Sequence, residues 1–312
     1  MRSLMKILAG IVVLLLIGFY VFVPGKISIA KSTYTRCAAT AVIRSLSDTS
    51  NWAKWWPKNG TTGSDGSFIY KNIKYLPGDK YYNGISVSIE SGKLKLSGRL
   101  NVFHLTPDST AIQWIGNSAS SLNPIKRMNQ FNESKEIQDN LAEVLHNLGV
   151  FLGDRKNIYG ISIIQTSTRD TILIFTSFNF SQKPTYAQIY SLIDNLKKYA
   201  LSRGSVQNGD PLLNIKSSGS GSYLTKVAIP INKYVPGSDK IESKRMVPGN
   251  FLMSEVVGGE SAVHKAFAEM QLFMQDYGKS EIAIPFEYLV TNRLVETDSS
   301  KWVTKIYQPI YQ

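Results

Sequence analysis

The sequence predicts an α+β protein with three parts: a transmembrane helix, an antiparallel sheet packed on a long helix, and a duplicated βαββ half. Three observations predict this class. An uncharged apolar run opens the chain, strand-like runs separated by turn residues precede one long amphipathic helical pattern, and two later stretches end alike. The predicted domains are residues 1–26, 27–153 and 158–312.

Composition excludes several classes of protein. With 43% hydrophobic and 19% charged residues over 312 positions, the chain is globular and long enough for two domains. Its one cysteine, Cys37, rules out an intrachain disulfide and a thiolate cluster. The three histidines, His104, His146 and His264, stand singly without the spacing of a zinc site. We therefore expect neither a metal site nor a cofactor.

The positive charge is concentrated near the N-terminus. Residues 1–156 hold 19 basic and 10 acidic residues, whereas residues 157–312 hold 16 and 13, so most of the net +12 lies beside the apolar run. We expect residues 25–156 to bind anionic lipid weakly at low salt and to release it near physiological ionic strength. No recognition helix and no basic, aromatic-interleaved face is present, so we expect no nucleic-acid partner.

The apolar run at residues 7–23 (ILAGIVVLLLIGFYVFV) predicts a membrane anchor. Its 17 uncharged residues are near the lower limit for spanning a bilayer, and Lys6 and Lys26 flank it. A cleaved signal peptide is the alternative, but it has a shorter apolar core and small residues at its cleavage site, where this chain has FYVFVP at 19–24. We predict an uncleaved, single-pass anchor in the cytoplasmic membrane, with the domains on the outer, periplasmic or extracellular, side.

The middle part, about 27–152, reads as one strand, two short helices, four strands and a long helix. The four strand-like runs are 68–75, 81–91, 93–105 and 110–118, with turn residues between them. The last helix has apolar residues at spacings of three and four, namely Ile137, Leu141, Val144, Leu145, Leu148, Phe151 and Leu152.

This order, together with NWAKWWP at 51–57 and Asn123-Pro124-Ile125 before the long helix, resembles the START-like (SRPBCC, polyketide cyclase/lipid transport) superfamily. The resemblance covers about 125 residues. It implies a helix-grip fold whose apolar cavity holds a hydrophobic ligand, lined by Trp52, Trp55 and Trp56. The alternative is that these rings pack in the core and at its rim. No acid/base pair stands out here, so we predict no chemistry in this part.

The remaining residues form two related copies. The first is predicted as a strand pair at 159–166 and 171–180, a helix at 184–202, and strands at 212–216 and 223–231; the second is predicted as a strand at 241–257, a helix at 261–277, and strands at 284–291 and 302–310. Both end alike, in TKVAIPI at 225–231 and TKIYQPI at 304–310. Thr225 and Thr304 are 79 positions apart, and Pro211 and Pro285 are 74 apart, which indicates a duplication.

The strand at 284–291 (IPFEYLVT) carries one carboxylate, Glu287, between two aromatic residues and with no basic residue within five positions. It is either an ordinary exposed glutamate or a ligand residue. Residues 159–310 resemble the GyrI-like (SOUL/GyrI, AraC effector-binding) domain. The resemblance implies a cleft between the copies in which Glu287 meets cationic, aromatic ligands. Aligning Pro211 with Pro285 puts Leu213 at the position equivalent to Glu287.

Three function classes follow. The first is a membrane-anchored protein that binds a small amphipathic or lipophilic cation, with Glu287, Tyr307, Phe251 and Trp302 as expected ligand residues. The second is a hydrolase of a strained or electrophilic molecule in the same cleft, with Glu287 as acid/base and Tyr307 as its partner. The third is a non-catalytic envelope scaffold.

The sequence favours binding over catalysis. It contains no Ser/His/Asp, Cys/His or metal constellation, so the enzyme alternative depends on the resemblance alone and no catalytic residue is assigned. Multidrug-responsive regulators with this domain carry a helix-turn-helix ahead of it, where this chain has the apolar run and the START-like part. We therefore do not expect direct transcription control.

Overall fold

The computed structural model describes residues 2–167, 171–218, 221–246 and 248–311. The chain divides into two compact units, one ending at Asp154 and one beginning at Arg155. Helix α1 (Arg2–Phe22) opens the first unit. Its segment Leu4–Phe22, with a mean hydropathy of 2.5, is long and apolar enough to cross a membrane, a test that a signal sequence also passes.

The first unit is a seven-stranded antiparallel sheet with helices. Its strands are β1 (Lys26–Thr35), β2 (Thr61–Thr62), β3 (Phe68–Tyr70), β4 (Ile73–Tyr81), β5 (Gly84–Ser91), β6 (Leu94–Thr106) and β7 (Ser109–Ala119), in the order β1-β7-β6-β5-β4-β3-β2. Its other helices are α2 (Ala39–Ser47), a 3-10 helix (Thr49–Lys54) and α3 (Pro124–Gly153). The Asn123 side chain accepts from Lys126 N–H and Pro124 occupies the first turn, which explains where α3 begins.

The three tryptophans of the first unit pack on one another. Trp52, Trp55 and Trp56 are all buried. The Trp52 ring centroid lies 5.1 Å from that of Trp55 and 5.4 Å from that of Phe68, and Trp56 lies 5.3 Å from Tyr75. These contacts are those of an aromatic core; a ligand cavity lined by the same rings stays a prediction.

The second unit is an eight-stranded sheet with two long helices. Its elements are α4 (Arg155–Tyr159), β8 (Ile164–Ser167), β9 (Thr171–Phe180), α5 (Tyr186–Ser202), β10 (Leu212–Ser217), β11 (Tyr223–Ile231), β12 (Glu242–Met246), β13 (Asn250–Val257), α6 (Glu260–Asp276), β14 (Phe286–Leu289) and β15 (Val303–Ile310). The strand order is β12-β9-β11-β10-β14-β15-β13-β8, with antiparallel pairs throughout. The α+β class with two antiparallel sheets and an N-terminal apolar helix is thus confirmed.

The order of this sheet is symmetric about the pair β10 and β14. The series β9, α5, β10, β11 matches the series β13, α6, β14, β15, as the repeated endings predict. At the centre, Leu213 pairs with Glu287 and Leu212 pairs with Tyr288. The two copies therefore meet where the sequence alignment places Leu213 and Glu287.

The predicted pair of strands at 159–166 and 171–180 is wrong. Tyr159 ends helix α4, and β8 pairs with β13 of the other copy, while β12 pairs with β9. The two copies thus exchange their outer strands. The outer edges of β9 and β13 are thereby covered by β12 and β8, respectively. The predicted strand at 241–257 is two strands, β12 and β13; residue 247, between them, lies outside the described residues.

Candidate functional site

A cleft lies on the face of the second sheet that carries α5 and α6. Two adjoining cavities of about 330 and 420 Å³ make it up, and both touch Lys183, Leu213, Ile215, Glu260 and Glu287. We call this space the helix-face cleft. Helix α5 adds Tyr186 and Ile189 to its wall, and helix α6 adds His264 and Phe267. The combined volume is in the range that holds small molecules.

Glu287 points into this cleft from the middle of the sheet. Its side chain is only 20% exposed, because β10 and β15 pair with β14 on its two sides. Burial raises the pKa of this carboxyl above its ordinary value of 4.5, and the nearby Arg293 guanidinium opposes the rise. Glu287 therefore holds its proton more tightly than an exposed glutamate does.

Arg293 is the partner of Glu287, and the sequence pattern did not predict it. Its side chain is 3% exposed, and Nη2 lies 3.4 Å from Glu287 Oε2. The same Nη2 donates to Thr304 Oγ1 at 2.8 Å, and Nη1 donates to Tyr186 Oη at 3.1 Å. The guanidinium carbon lies 4.9 Å from the Tyr186 ring centroid, so the cation also packs on an aromatic face.

The position of Arg293 results from the loop after β14. Its backbone N–H donates to Tyr190 Oη at 3.1 Å, and this hydroxyl donates to Thr291 O at 3.3 Å. The loop thereby folds back over the strand that it has just left. Arg293 is six positions after Glu287 and lies beyond the end of the strand, and a basic residue at this spacing is the sequence signal for the pair.

Trp302 lies beside Arg293. Its ring centroid is 5.1 Å from the guanidinium carbon and 5.0 Å from the Tyr186 ring, and its Nε1 donates to Glu296 O at 2.8 Å. Trp302 is 8% exposed. Trp302 thus packs against the guanidinium group of Arg293, and Arg293 in turn lies beside Glu287.

Tyr307 and Phe251 lie on the opposite face of the sheet, so their expected grouping with Glu287 does not hold. Glu287 pairs with Ile306, whereas Tyr307 pairs with the neighbouring Phe286. Successive residues of a strand point to opposite faces, and directly paired residues point to the same face. Tyr307 accordingly stacks on Phe286 at 5.4 Å, and Phe251 lies 5.9 Å from the Phe286 ring. The hydrolase alternative thereby loses the partner that the sequence suggested.

The remaining charges stand around the mouth of the helix-face cleft. Lys183 forms an ion pair with Glu260, and His264 Nε2 lies 3.9 Å from Glu260 Oε1. These side chains are between 41% and 69% exposed, in contrast to Glu287 and Arg293. Within the described residues, no cluster of His, Cys, Asp and Glu has a geometry that holds a metal ion. The buried charges of the cleft are therefore Glu287 and Arg293.

Comparison with known proteins gives similar solved structures only. No family model and no curated protein matches this chain. It is similar to the EcmrR C-terminal domain (14% identity, 49% of this chain, 98% of that chain, TM-score 0.42) and to SAV2435 bound to tetraphenylphosphonium (14%, 48%, 94%, 0.33). A START superfamily protein from Mycobacterium smegmatis is similar at 19% identity, over 40% of this chain and 98% of that chain, with a TM-score of 0.30. All three TM-scores are below 0.5.

Proposed function

We propose that this chain is a membrane-anchored binding protein for a small amphipathic or lipophilic cation, which Glu287 holds in the helix-face cleft. One observation carries the proposal: a mostly buried carboxylate points into a ligand-sized space and is only loosely neutralised. Its separation of 3.4 Å from Arg293 Nη2 exceeds the length of about 2.7–2.9 Å that charge-assisted hydrogen bonds have. The carboxylate thus keeps capacity for a second cation.

Arg293 is held in place by groups other than Glu287. Thr304 and Tyr186 accept its hydrogen bonds, and the rings of Tyr186 and Trp302 pack against it. Because these contacts hold the guanidinium group, a ligand approaching Glu287 from the cleft does not have to displace it. A cation in the cleft favours the charged form of Glu287 and lowers its pKa again.

The walls of the cleft suit the apolar part of such a ligand. Leu213 and Ile215 of β10 form its floor next to Glu287, and Ile189 and Phe267 face it from the two helices. Phe267 and Tyr186 supply aromatic surface, which attracts a desolvated cation by about 2 kcal/mol. The site should therefore prefer a lipophilic cation to a neutral molecule of the same shape.

The anchor part of the proposal is supported by contacts at the end of α1. Arg127 of α3 is 7% exposed; its Nη2 donates to Val23 O, and its guanidinium carbon lies 4.8 Å from the Tyr20 ring. Ser120 Oγ also donates to Pro24 O at 2.9 Å. Cleavage after α1 takes Tyr20 and Val23 away from this buried arginine, so the folded unit favours an intact helix. Beside this contact, Leu122 is 86% exposed, which suits a position at the bilayer surface.

Calorimetric titration tests the binding proposal. The full chain in nanodiscs of zwitterionic lipid is titrated with tetraphenylphosphonium and with neutral triphenylphosphine oxide, and empty nanodiscs give the reference. Glu287→Gln keeps the shape of the side chain and removes its charge. It should weaken binding of the cation by about one to three orders of magnitude and leave binding of the neutral compound almost unchanged. Leu213→Ala, the matched variant at the paired position, should weaken binding of both compounds to the same extent.

The proposal is wrong if wild type binds no cation, or if Glu287→Gln binds the cation as tightly as wild type. Membrane attachment is tested separately on the same preparation. Intact protein in the membrane fraction should retain residues 1–24 by mass spectrometry, and a reporter that is active only in the cytoplasm should be silent when fused after Ile310. Soluble protein without those residues refutes the anchor without affecting the cation site.

A further inference from the structure

A second cavity, of about 430 Å³, lies on the face of the second sheet that is turned away from α5 and α6. Leu212 and Asn214 of β10, and their partners Ala228 and Lys226 of β11, line it. Leu213 and Val227 belong to the core under the helices, and Leu212 and Asn214 point to the other face because side chains alternate along a strand. The two spaces share the lining residues Leu213, Asn214, Pro285 and Phe286, so they approach each other at β10 and the start of β14. We call it the opposite-face cavity.

The walls of this cavity are mainly apolar. Phe251 and Phe286 stand together at one side, and the segment 282–285 closes another. Ile282 and Ile284 in that segment are 56% and 51% exposed, so apolar surface at the rim is open to water. Burying this apolar surface under a ligand is favourable, and the volume of the cavity is in the range of small-molecule sites.

The charged groups of the opposite-face cavity are all basic. Its lining includes Lys226, Lys244 and Arg245 and no carboxylate among the described residues. Lys226 pairs with Ser177, and Lys244 pairs with Leu173, four positions away on the same strand β9. Both lysines therefore stand on the cavity side of the sheet. Neither takes part in an ion pair within the described ranges.

We propose that the opposite-face cavity is a second binding site, which takes an amphipathic anion such as an aromatic or aliphatic carboxylate or sulfonate. The apolar part of the ligand packs against Phe251 and Phe286, and its acidic group is neutralised by Lys226 and Lys244. A lipophilic cation is repelled by the same two lysines. The sheet thus selects opposite charges on its two faces, and this inference does not depend on the function proposed for the helix-face cleft.

The test uses 2-naphthalenesulfonate as the probe, titrated calorimetrically into the full chain in nanodiscs of zwitterionic lipid. The double variant Lys226→Met and Lys244→Met should bind the probe about tenfold more weakly than wild type, since each solvent-accessible charge contributes up to about 1 kcal/mol. The double change to arginine should keep the affinity. Lys198→Met, which removes an exposed lysine of α5 outside both cavities, is the matched control and should bind as wild type does.

A second variant removes the space instead of the charge. Ala228→Phe fills the opposite-face cavity and should abolish probe binding, while thermal unfolding checks that the protein still folds. Glu287→Gln should leave sulfonate binding unchanged. The inference is overturned if wild type does not bind the probe, if the Lys226 and Lys244 double variant binds it as well as wild type, or if Glu287→Gln weakens it, because the last result puts the probe in the helix-face cleft.

Discussion

The two faces of the second sheet differ in the chemistry that they present at adjacent residues. On β14, Glu287 points under the helices beside a buried guanidinium group, whereas Phe286 points the other way into a stack with Tyr307. One face thus offers a buried carboxylate, and the other offers aromatic rings with lysines at the rim. A single strand supplies both because its side chains alternate, so a one-residue shift in register exchanges the two environments.

The same comparison explains the asymmetry of the duplicated copies. Glu287 and Leu213 are direct partners at the centre of a symmetric sheet, and both face the helices. One copy contributes the charge and the other contributes apolar wall. Duplication thereby brings two equivalent positions together, and a difference at this one pair gives the cleft a charged side and an apolar side.

The largest expected effect on stability comes from removing Arg293, which lies on the helix face of the sheet only. Arg293→Met leaves Glu287 as an unpaired buried charge and takes the donors from Thr304 Oγ1 and Tyr186 Oη. Removing one partner of a buried pair costs about 3–5 kcal/mol, so we expect a loss of about 3 kcal/mol in unfolding free energy. Urea denaturation measures this loss, with unfolding monitored by hydrogen exchange in peptides of the second unit.

Two further variants sharpen the Arg293 prediction. Arg203→Met is the matched control, since its guanidinium carbon also lies over a tyrosine ring, at 5.6 Å from Tyr199, but the residue is exposed. It should cost less than about 1 kcal/mol. Adding Glu287→Gln to Arg293→Met should restore part of the lost stability, because the unpaired charge is then gone. Equal losses for Arg293→Met and Arg203→Met contradict a buried pair.

A smaller effect should appear in the pH dependence of stability. Burial raises the pKa of Glu287 in the folded protein, so the folded state binds this proton more tightly than the unfolded chain does. Its contribution to stability is therefore complete below about pH 4.5 and is lost as the pH rises through the folded pKa. Relative to wild type, Glu287→Gln should gain stability with rising pH, by at most about 1.4 kcal/mol per pH unit.

Unfolding free energies measured between pH 4 and 8 test this linkage. Leu213→Ala changes no titrating group, so its difference from wild type should be the same at every pH. A difference between Glu287→Gln and wild type that stays constant, or that moves in the opposite direction, shows that Glu287 is not stabilised in its protonated form.

The sequence predicts features that depend on neighbouring residues, and it misses features that depend on residues far apart along the chain. The long helix α3, the turns after β5 and β6 and the repeated endings at Thr225 and Thr304 are local patterns, and the structure contains them where they were expected. The turn expected between residues 75 and 81 is wrong, because β4 (Ile73–Tyr81) runs through this segment and the chain turns at 71–72 and 82–83 instead. Strand register and strand exchange depend on partners far along the chain. That is why Tyr307 was placed on the wrong face and β8 in the wrong pair. Arg293 was missed because it returns to Glu287 only through the fold of a loop.

The smallest expected effect concerns Tyr307, the residue that the sequence grouped with Glu287 and the structure puts on the other face. Its ring contacts Phe251, Phe286 and Tyr288, at centroid distances of 5.1 to 6.1 Å. Tyr307→Phe keeps this ring packing and removes only a hydroxyl group that does not face the helix-face cleft. We therefore expect calorimetry to show less than about a twofold change in tetraphenylphosphonium affinity, well under 1 kcal/mol.

Tyr186→Phe is the matched change on the helix face, where the hydroxyl accepts from Arg293 Nη1. Without this acceptor the guanidinium group is free to move closer to Glu287 and neutralise it more fully. Cation affinity should then fall by about threefold to tenfold, the effect of one hydrogen bond of about 1 kcal/mol. The opposite ranking, with Tyr307→Phe the more harmful change, means that the cation binds among the aromatic rings of the other face, and that the assignment of charge preference to the two faces has to be reversed.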